Sequence, residues 1–331
     1  MSLQPLPGLE PHSMNAVEGA RIVVIGSTMI DMISYMSRVP DAGETLIGDH
    51  FALGFGGKGA NQAVMARRLG AHVWMVGCLG TDVFGDMTVD NFRAAGIDTT
   101  YVTRTPEASS GVAPIWVEAG GHNRIVCVPG ANAYMTEHQA KTAVESIPRV
   151  DVVVGQFEVP QAVTAAGFQA AKARGAVTVL NPAPAAEIST ELLAVTDWLV
   201  PNEVEFAFLA GAEAAEDVSS APTDATVAEV AQRLGVRLVA TLGEAGAAVF
   251  DASGAVVRIT PPKTRVVDTT GAGDAFVGAF SYGLAAGLSP TAAARLGCAC
   301  ATSSVARPGT QSSFPVAGDL DEALAWAATA L

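Results

Sequence analysis

The stretch Asp268-Thr269-Thr270-Gly271-Ala272-Gly273-Asp274-Ala275-Phe276 runs small residues directly into an alanine-rich, apolar segment, Ala275 to Ala286, that reads as a helix. A helix N-terminus offers unpaired N–H groups and partial positive charge, and glycines remove the side chains that would hold an anion away from that backbone. The stretch therefore reads as a phosphate site. A carboxylate at its mouth repels phosphate, so Asp274 is expected to face something else, and a hydroxyl awaiting phosphorylation fits. Taken alone, an ordinary glycine turn with Asp274 favourably placed on the helix dipole accounts for the same residues.

Other polar residues gather around strand ends. Asp31 follows the apolar run that ends at Ile30, and a carboxylate there can accept from two sugar hydroxyls at once. Glu158 follows a second apolar run. Asn202 and Glu205, three apart on a helix start, share one face and could hold waters of a hydrated magnesium ion. Each of these could equally be a cap or a surface residue, and it is their convergence at one end of a single sheet that points to a site. Gly54-Phe55-Gly56-Gly57-Lys58-Gly59 formally matches a dinucleotide fingerprint, but it does not follow the first long strand, and Lys58 lacks the Ser or Thr of a Walker A loop. It reads instead as a backbone that approaches a hydroxyl-rich ligand, with Lys58 and Asn61 as donors; a glycine-rich connection with a solvated lysine is the plain alternative. An NAD-binding oxidoreductase is not expected.

The elements that must carry these residues alternate. Arg21 to Gly26, His72 to Cys78, Asp151 to Gly155, Ala176 to Leu180, Asp197 to Val200 and Arg237 to Thr241 are short, nearly continuous apolar runs that read as buried strands. Helices are expected over Lys58 to Leu69, Val83 to Ala95, Glu137 to Ile147, Gln161 to Arg174, Glu203 to Leu209 and Thr226 to Leu234, with more helix from Gly273 to Ala306 and Asp319 to Ala330. Strand then helix, repeated, predicts an α/β fold with a mainly parallel sheet covered on both faces. Two segments, about 32–55 and 110–128, alternate over short distances with Gly and Pro turns and read as small antiparallel strands forming a flap.

Composition narrows the partners. The chain has 331 residues, half of them apolar, enough for a sizeable core. Its formal charge of -14, with no local cluster of Lys and Arg, argues against nucleic acid or an anionic membrane as partner. Cys78, Cys127, Cys298 and Cys300 lie in apolar surroundings and are expected to be buried thiols of a reducing cytoplasm. The five histidines show no ligand spacing. Residues 1–19 read as a flexible leader without the charge or apolar run of a signal peptide, and residues 20–331 as one domain.

Gly56-Gly57-Lys58-Gly59-Ala60-Asn61, Asn181-Pro182-Ala183-Pro184, Asp268 to Asp274 and Gly309-Thr310-Gln311-Ser312-Ser313-Phe314-Pro315 together resemble the ribokinases among the PfkB-type carbohydrate kinases. The resemblance implies a three-layer ribokinase-like fold with a small β lid, and an ATP-dependent kinase acting on the primary 5-hydroxyl of D-ribose. It implies Asp274 as the base, with the amides of Gly271, Ala272, Gly273 and Asp274 as the anion hole. Asp31, Gly57, Lys58, Asn61 and Glu158 would hold the sugar; Asn202, Thr241, Gly243, Gly246 and Gly273 would lie along the nucleotide, with Glu205 reaching magnesium through water. A potassium ion would sit among Asp268, Thr270, Ser304, Arg307, Gly309 and Ser313, and a homodimer would form through the lids. One residue departs from the pattern. Many bacterial ribokinases carry asparagine two positions before the sugar-binding aspartate, where this chain has Met29, so 2-deoxyribose stays open beside ribose. Fructose, a nucleoside, or a non-catalytic sugar sensor are more distant alternatives.

Overall fold

Ile22 and Val24 point to one side of strand β1 (Arg21–Ile25), Val23 and Ile25 to the other, and all four are fully buried. A strand covered on both faces belongs in mid-sheet between helical layers. That is its place in the computed structural model, which describes residues 19–120, 122–211, 221–251 and 253–329. The leader expected over residues 1–19 lies outside these, save Gly19.

After β1 the chain forms β2 (Met29–Met36), β3 (His50–Gly56), α1 (Lys58–Arg68), β4 (His72–Gly80), α2 (Val83–Ala94), β5 (Asp98–Thr105), β6 (Val112–Glu118) and β7 (Asn123–Ile125). It continues through α3 (Glu137–Ser146), β8 (Val152–Gly155), α4 (Gln161–Ala173), β9 (Val177–Leu180), α5 (Thr190–Leu193), β10 (Trp198–Leu199), α6 (Glu203–Ala210), α7 (Asp224–Leu234) and β11 (Arg237–Thr241). Strands β12 (Ala247–Phe250) and β13 (Val256–Ile259) precede α8 (Ala272–Ala285), α9 (Pro290–Ser304) and α10 (Ala317–Ala328). The main sheet runs β13-β12-β11-β10-β9-β8-β1-β4-β5, parallel from β5 to β11 and antiparallel at β12 and β13.

Two apolar layers sandwich it. On one face Ile22, Val24 and Met75 pack with Met65 of α1, Phe276 and Phe280 of α8 and Leu296 of α9. On the other, Val23, Ile25 and Leu238 pack with Val144 of α3, Phe168 of α4 and Val230 of α7. This is the expected three-layer arrangement. Strands β5, β12 and β13 were not expected: β5 reads Asp-Thr-Thr-Tyr-Val-Thr-Arg-Thr at a sheet edge, too polar for a buried run, and β12 and β13 form a short hairpin at the other edge.

The flap is a separate four-stranded sheet, β3-β2-β6-β7, with Met29, Ala113 and Ile115 buried together. It begins at Met29, earlier than expected, and Asp31 lies within its strand β2 instead of following a strand of the main sheet. The link from β1 is stitched at Thr28, whose N–H donates to Asn132 Oδ1 (2.9 Å) and whose carbonyl accepts from Asn132 Nδ2 (2.8 Å). All four cysteines are free, and Cys127 is exposed on this sheet's last segment rather than buried, because that edge has no cover. Burial pushes the Cys298 thiol up to about 12 and raises Cys300 further. Among the described residues no helix is long and apolar enough to cross a membrane.

Candidate active site

Helix α8 starts at Gly271, whose φ of 77° lies in the left-handed region that favours glycine. The first helical N–H groups have no partner inside the helix, so those of Gly273 and Asp274 are open to a ligand. The N–H of Ala272 is engaged with the Thr269 carbonyl (3.2 Å), so one amide of the expected anion hole is already spoken for. Asp274 stands in the first turn, 8% exposed.

Helix α1 crosses α8 closely enough to reach it. A Cβ on Gly278 would lie 2.6 Å from the Gln62 carbonyl oxygen and 2.8 Å from Met65 Cβ, so glycine is what lets the two backbones approach. Across that contact Asn61 Nδ2 donates to Asp274 Oδ2 (2.8 Å) and Gln62 Nε2 donates to Asp274 Oδ1 (3.0 Å). A carboxylate has about four acceptor positions, so two remain for a substrate hydroxyl. Burial raises the Asp274 pKa, with Lys58 and the two carboxamides opposing and Glu158 adding to it. A raised pKa makes the anion a better proton acceptor.

α1 is entered through Gly57, also left-handed at φ 89°. Beside it Glu158 Oε2 accepts from the Lys58 N–H (2.9 Å) and from the Ser27 hydroxyl. Burial would lower the Lys58 pKa, but the charges of Asp274, Glu158 and Glu205 outweigh it and raise it, so the ammonium stays charged. Asp31 is 9% exposed and pushed up to about 6, first by burial and then by Glu158 and Asp274. Its carboxylate occupies space that only glycine leaves: a Cβ on Gly56 would lie 2.3 Å from Asp31 Oδ1. Since the obstacle is a movable side-chain end, Gly56→Ala should fold and displace Asp31. We expect its sugar KM to rise roughly tenfold, the loss of about one hydrogen bond to a charged group, with ATP KM unchanged in steady-state assays.

A cavity of about 140 Å³ beside Asp274 is lined by Lys58, Asn181, Asn202, Glu205, Thr241, Gly271 and Gly273, among others. Asn202 and Glu205 cap α6 reciprocally: Asn202 Oδ1 accepts from the Glu205 N–H (2.9 Å) and Glu205 Oε2 from the Asn202 N–H (2.8 Å). Burial raises the Glu205 pKa. Its second oxygen is left over, a donor set suited to a hydrated magnesium ion. Gly243 and Gly246 lie beyond the cavity wall in the β11–β12 turn, where a Cβ on Gly246 would meet the Ile259 carbonyl oxygen at 1.9 Å.

The expected potassium ligands come together from three segments. Asp268 Oδ1 accepts from the Thr270 N–H (2.9 Å) and hydroxyl (2.7 Å), and Oδ2 from the Gly309 N–H (2.9 Å). Burial alone would raise Asp268, but these bonds lower its pKa. Arg307 donates from its N–H to the Ser304 carbonyl (3.2 Å) and from Nε to the Ser313 carbonyl (3.2 Å), and each carbonyl keeps a lone pair. The oxygen-rich, anionic set fits a monovalent cation.

Several contributors escaped the sequence reading. Ser27, Gln62, Gln156, Asn181 and Gln311 form the inner polar shell, with Gln311 Nε2 donating to Asn61 Oδ1 (3.0 Å). Gln62, Asn181 and Gln311 lay inside or beside quoted motifs, but a carboxamide carries no charge to single it out.

A profile of the pfkB family carbohydrate kinases matches residues 20–317. The chain is 37% identical over 304 residues to a deoxyribokinase of Salmonella typhi, covering 92% of this chain and 98% of that one. It is 38% identical to a ribokinase of Mus musculus, covering 93% and 95%. Among solved structures, Arabidopsis thaliana ribokinase complexed with ribose and ATP superposes with a TM-score of 0.83 at 30% identity, covering 92% of this chain and 99% of that one. The Thermotoga maritima ribokinase gives 0.80 at 31%, with the same coverage. The chain belongs to the pfkB family of carbohydrate kinases. It is a sugar phosphotransferase with the ribokinase-like fold.

Proposed function

We propose that the protein transfers the γ-phosphoryl group of ATP to the 5-hydroxyl of D-ribose, giving ribose 5-phosphate. The observation that carries this is Asp274: a buried carboxylate with two free acceptor positions, at the mouth of a helix N-terminus whose amides are open. Asp31, Glu158, Lys58 and Asn61 are polar groups suited to the other sugar hydroxyls. Asp274 takes the proton of the attacking hydroxyl, and the amides of Gly273 and Asp274 steady charge on the transferring group. Positioning and electrostatics suffice, because the loose transition state leaves little covalent work to the protein.

Magnesium, approached through water by Glu205, would neutralise nucleotide charge in a pocket that already holds the carboxylates of Glu205 and Asp274. A potassium ion among Asp268, Thr270, Gly309 and the Ser304 and Ser313 carbonyls would firm the loop leading into Gly271. Exposed Phe51 and Ile125 on the small sheet and Ile47 in its β2–β3 connection support a homodimer through the lids. Four free thiols suit the cytoplasm.

One observation favours a second reading, 2-deoxy-D-ribose. Met29 is buried against Ala113 and Ile115 and offers a sugar no hydrogen bond, and a relative of similar identity is a deoxyribokinase. Sugar-dependent ADP release over a panel of pentoses, hexoses and nucleosides, with and without potassium, tests both. Ribose is expected to give the highest kcat/KM; a higher value for 2-deoxyribose selects the second reading, and no sugar dependence rejects both.

A further inference from the structure

Asp274 is held by a chain of amides whose polarity is set at its far end. Asn181 Nδ2 donates to the Val200 carbonyl (2.9 Å), which can only accept. Asn181 must therefore turn its Oδ1 to Gln62, and Gln62 must turn its NH₂ to Asn181 (3.2 Å). The same NH₂ meets Asp274 Oδ1 (3.0 Å), so the amide cannot flip to present oxygen to the carboxylate. Gln156 Nε2 closes the chain by donating to Gln62 Oε1 (2.5 Å). Gln62 and Gln156 are fully buried, which keeps water from their contact, and Asn181 is nearly buried at the cavity edge. The other clamp on Asp274 has no such anchor: Asn61 is held by Gln311, Gln311 by Asn91 (3.1 Å), and Asn91 Oδ1 ends without a partner.

We propose that Gln62 is the positioning residue of the base, an obligate donor that keeps Asp274 deprotonated and aimed at the acceptor hydroxyl. This rests on the kinase reading for its catalytic consequence, though not for its electrostatic one. Burial favours the neutral acid, and the nearby carboxylates of Glu158 on the loop after β8, Asp31 on β2 and Glu205 on α6 push the same way. Lys58 opposes them from α1, but as a charge without direction. Gln62 acts on one oxygen, favouring the anion and fixing its rotation.

Gln62→Met keeps the volume and removes the donor. With the sugar that wild type turns over fastest, kcat should fall roughly ten- to hundredfold, the size of effect that a misaligned reacting group produces. Both KM values should stay within about threefold, the mark of an interaction made mainly in the transition state. The acid limb of the kcat–pH profile should move to higher pH. In parallel, the ¹³C carboxyl resonance of Asp274, assigned by its loss in Asp274→Asn, should titrate at higher pH in Gln62→Met than in wild type. An unmoved titration overturns the proposal whatever happens to kcat, because a merely structural glutamine would lower stability and leave it in place. Should Gln62→Met fail to fold, Gln156→Met leaves Gln62 present but loosened, and must move the titration the same way by less. Wild type inactive on every sugar would defeat the kinase reading while leaving the titration result to decide this one.

Discussion

Asp274→Asn is expected to lower kcat by roughly 10² to 10⁴, the range for loss of a positioned proton acceptor, while KM for sugar and ATP changes little. The substitution is nearly isosteric, but it removes the lone pairs that take the proton. It also turns one NH₂ group toward Asn61 or Gln62, both of which already present donors. Steady-state kinetics gives the split between kcat and KM, and calorimetric titration with sugar checks that the ground-state complex still forms. Near-normal turnover would remove Asp274 from the role of base. Because the open amides of Gly273 and Asp274 persist in the variant, a residual rate well above solution chemistry is expected to remain.

Asp31→Asn should pull stability and function in opposite directions. The Asp31 carboxyl is buried, forms no salt bridge among the described residues and is pushed up from 3.8 to about 6. Below pH 3.8 it is protonated in both folded and unfolded chains, and ionisation costs the fold nothing. Between the two values the unfolded chain ionises first, and above about 6 the folded protein carries the whole penalty. Two pK units correspond to at most about 3 kcal/mol, so Asp31→Asn should stabilise the ligand-free protein by up to that amount at neutral pH and by nothing near pH 3.5. Thermal melts at the two pH values measure the difference, and equal melting temperatures at neutral pH would discard the account. The same change should raise sugar KM roughly a hundredfold, since two hydrogen bonds to a charged acceptor become weaker neutral ones.

The parallel core was legible because its strands are short apolar runs such as His72 to Cys78 and Val152 to Gly155, each followed by a segment of helical periodicity. Asp274 and the glycines before it were legible because a charge beside a flexible helix start is rare enough to ask for a reason. The placement of Asp31 was not. The first strand was expected to end at Gly26, but the short apolar pair Met29-Ile30 beyond it does not announce the start of a second strand, β2, which carries Asp31 into the small sheet. The carboxamide shell was equally hidden: Gln62 and Gln156 are 94 positions apart and only the folded chain makes them neighbours. Edge strand β5 and exposed Cys127 were missed for the same physical reason, since polarity and burial at a sheet edge depend on what fails to cover it.

The stitch between Thr28 and Asn132 bears on how the small sheet can move. If that sheet swings, its pivot is held where β2 leaves the core, and Asp31 is only three residues from it, about 10 Å along an extended strand, whereas Met36 is about 26 Å away. Rotation about such an axle sweeps the far end widely and the near end hardly at all. Grip on the ligand and shelter from solvent are then governed by different stretches of one ribbon: substitutions around Ser34 to Met36 would alter how much water reaches the reaction, with affinity left to the residues beside the axle.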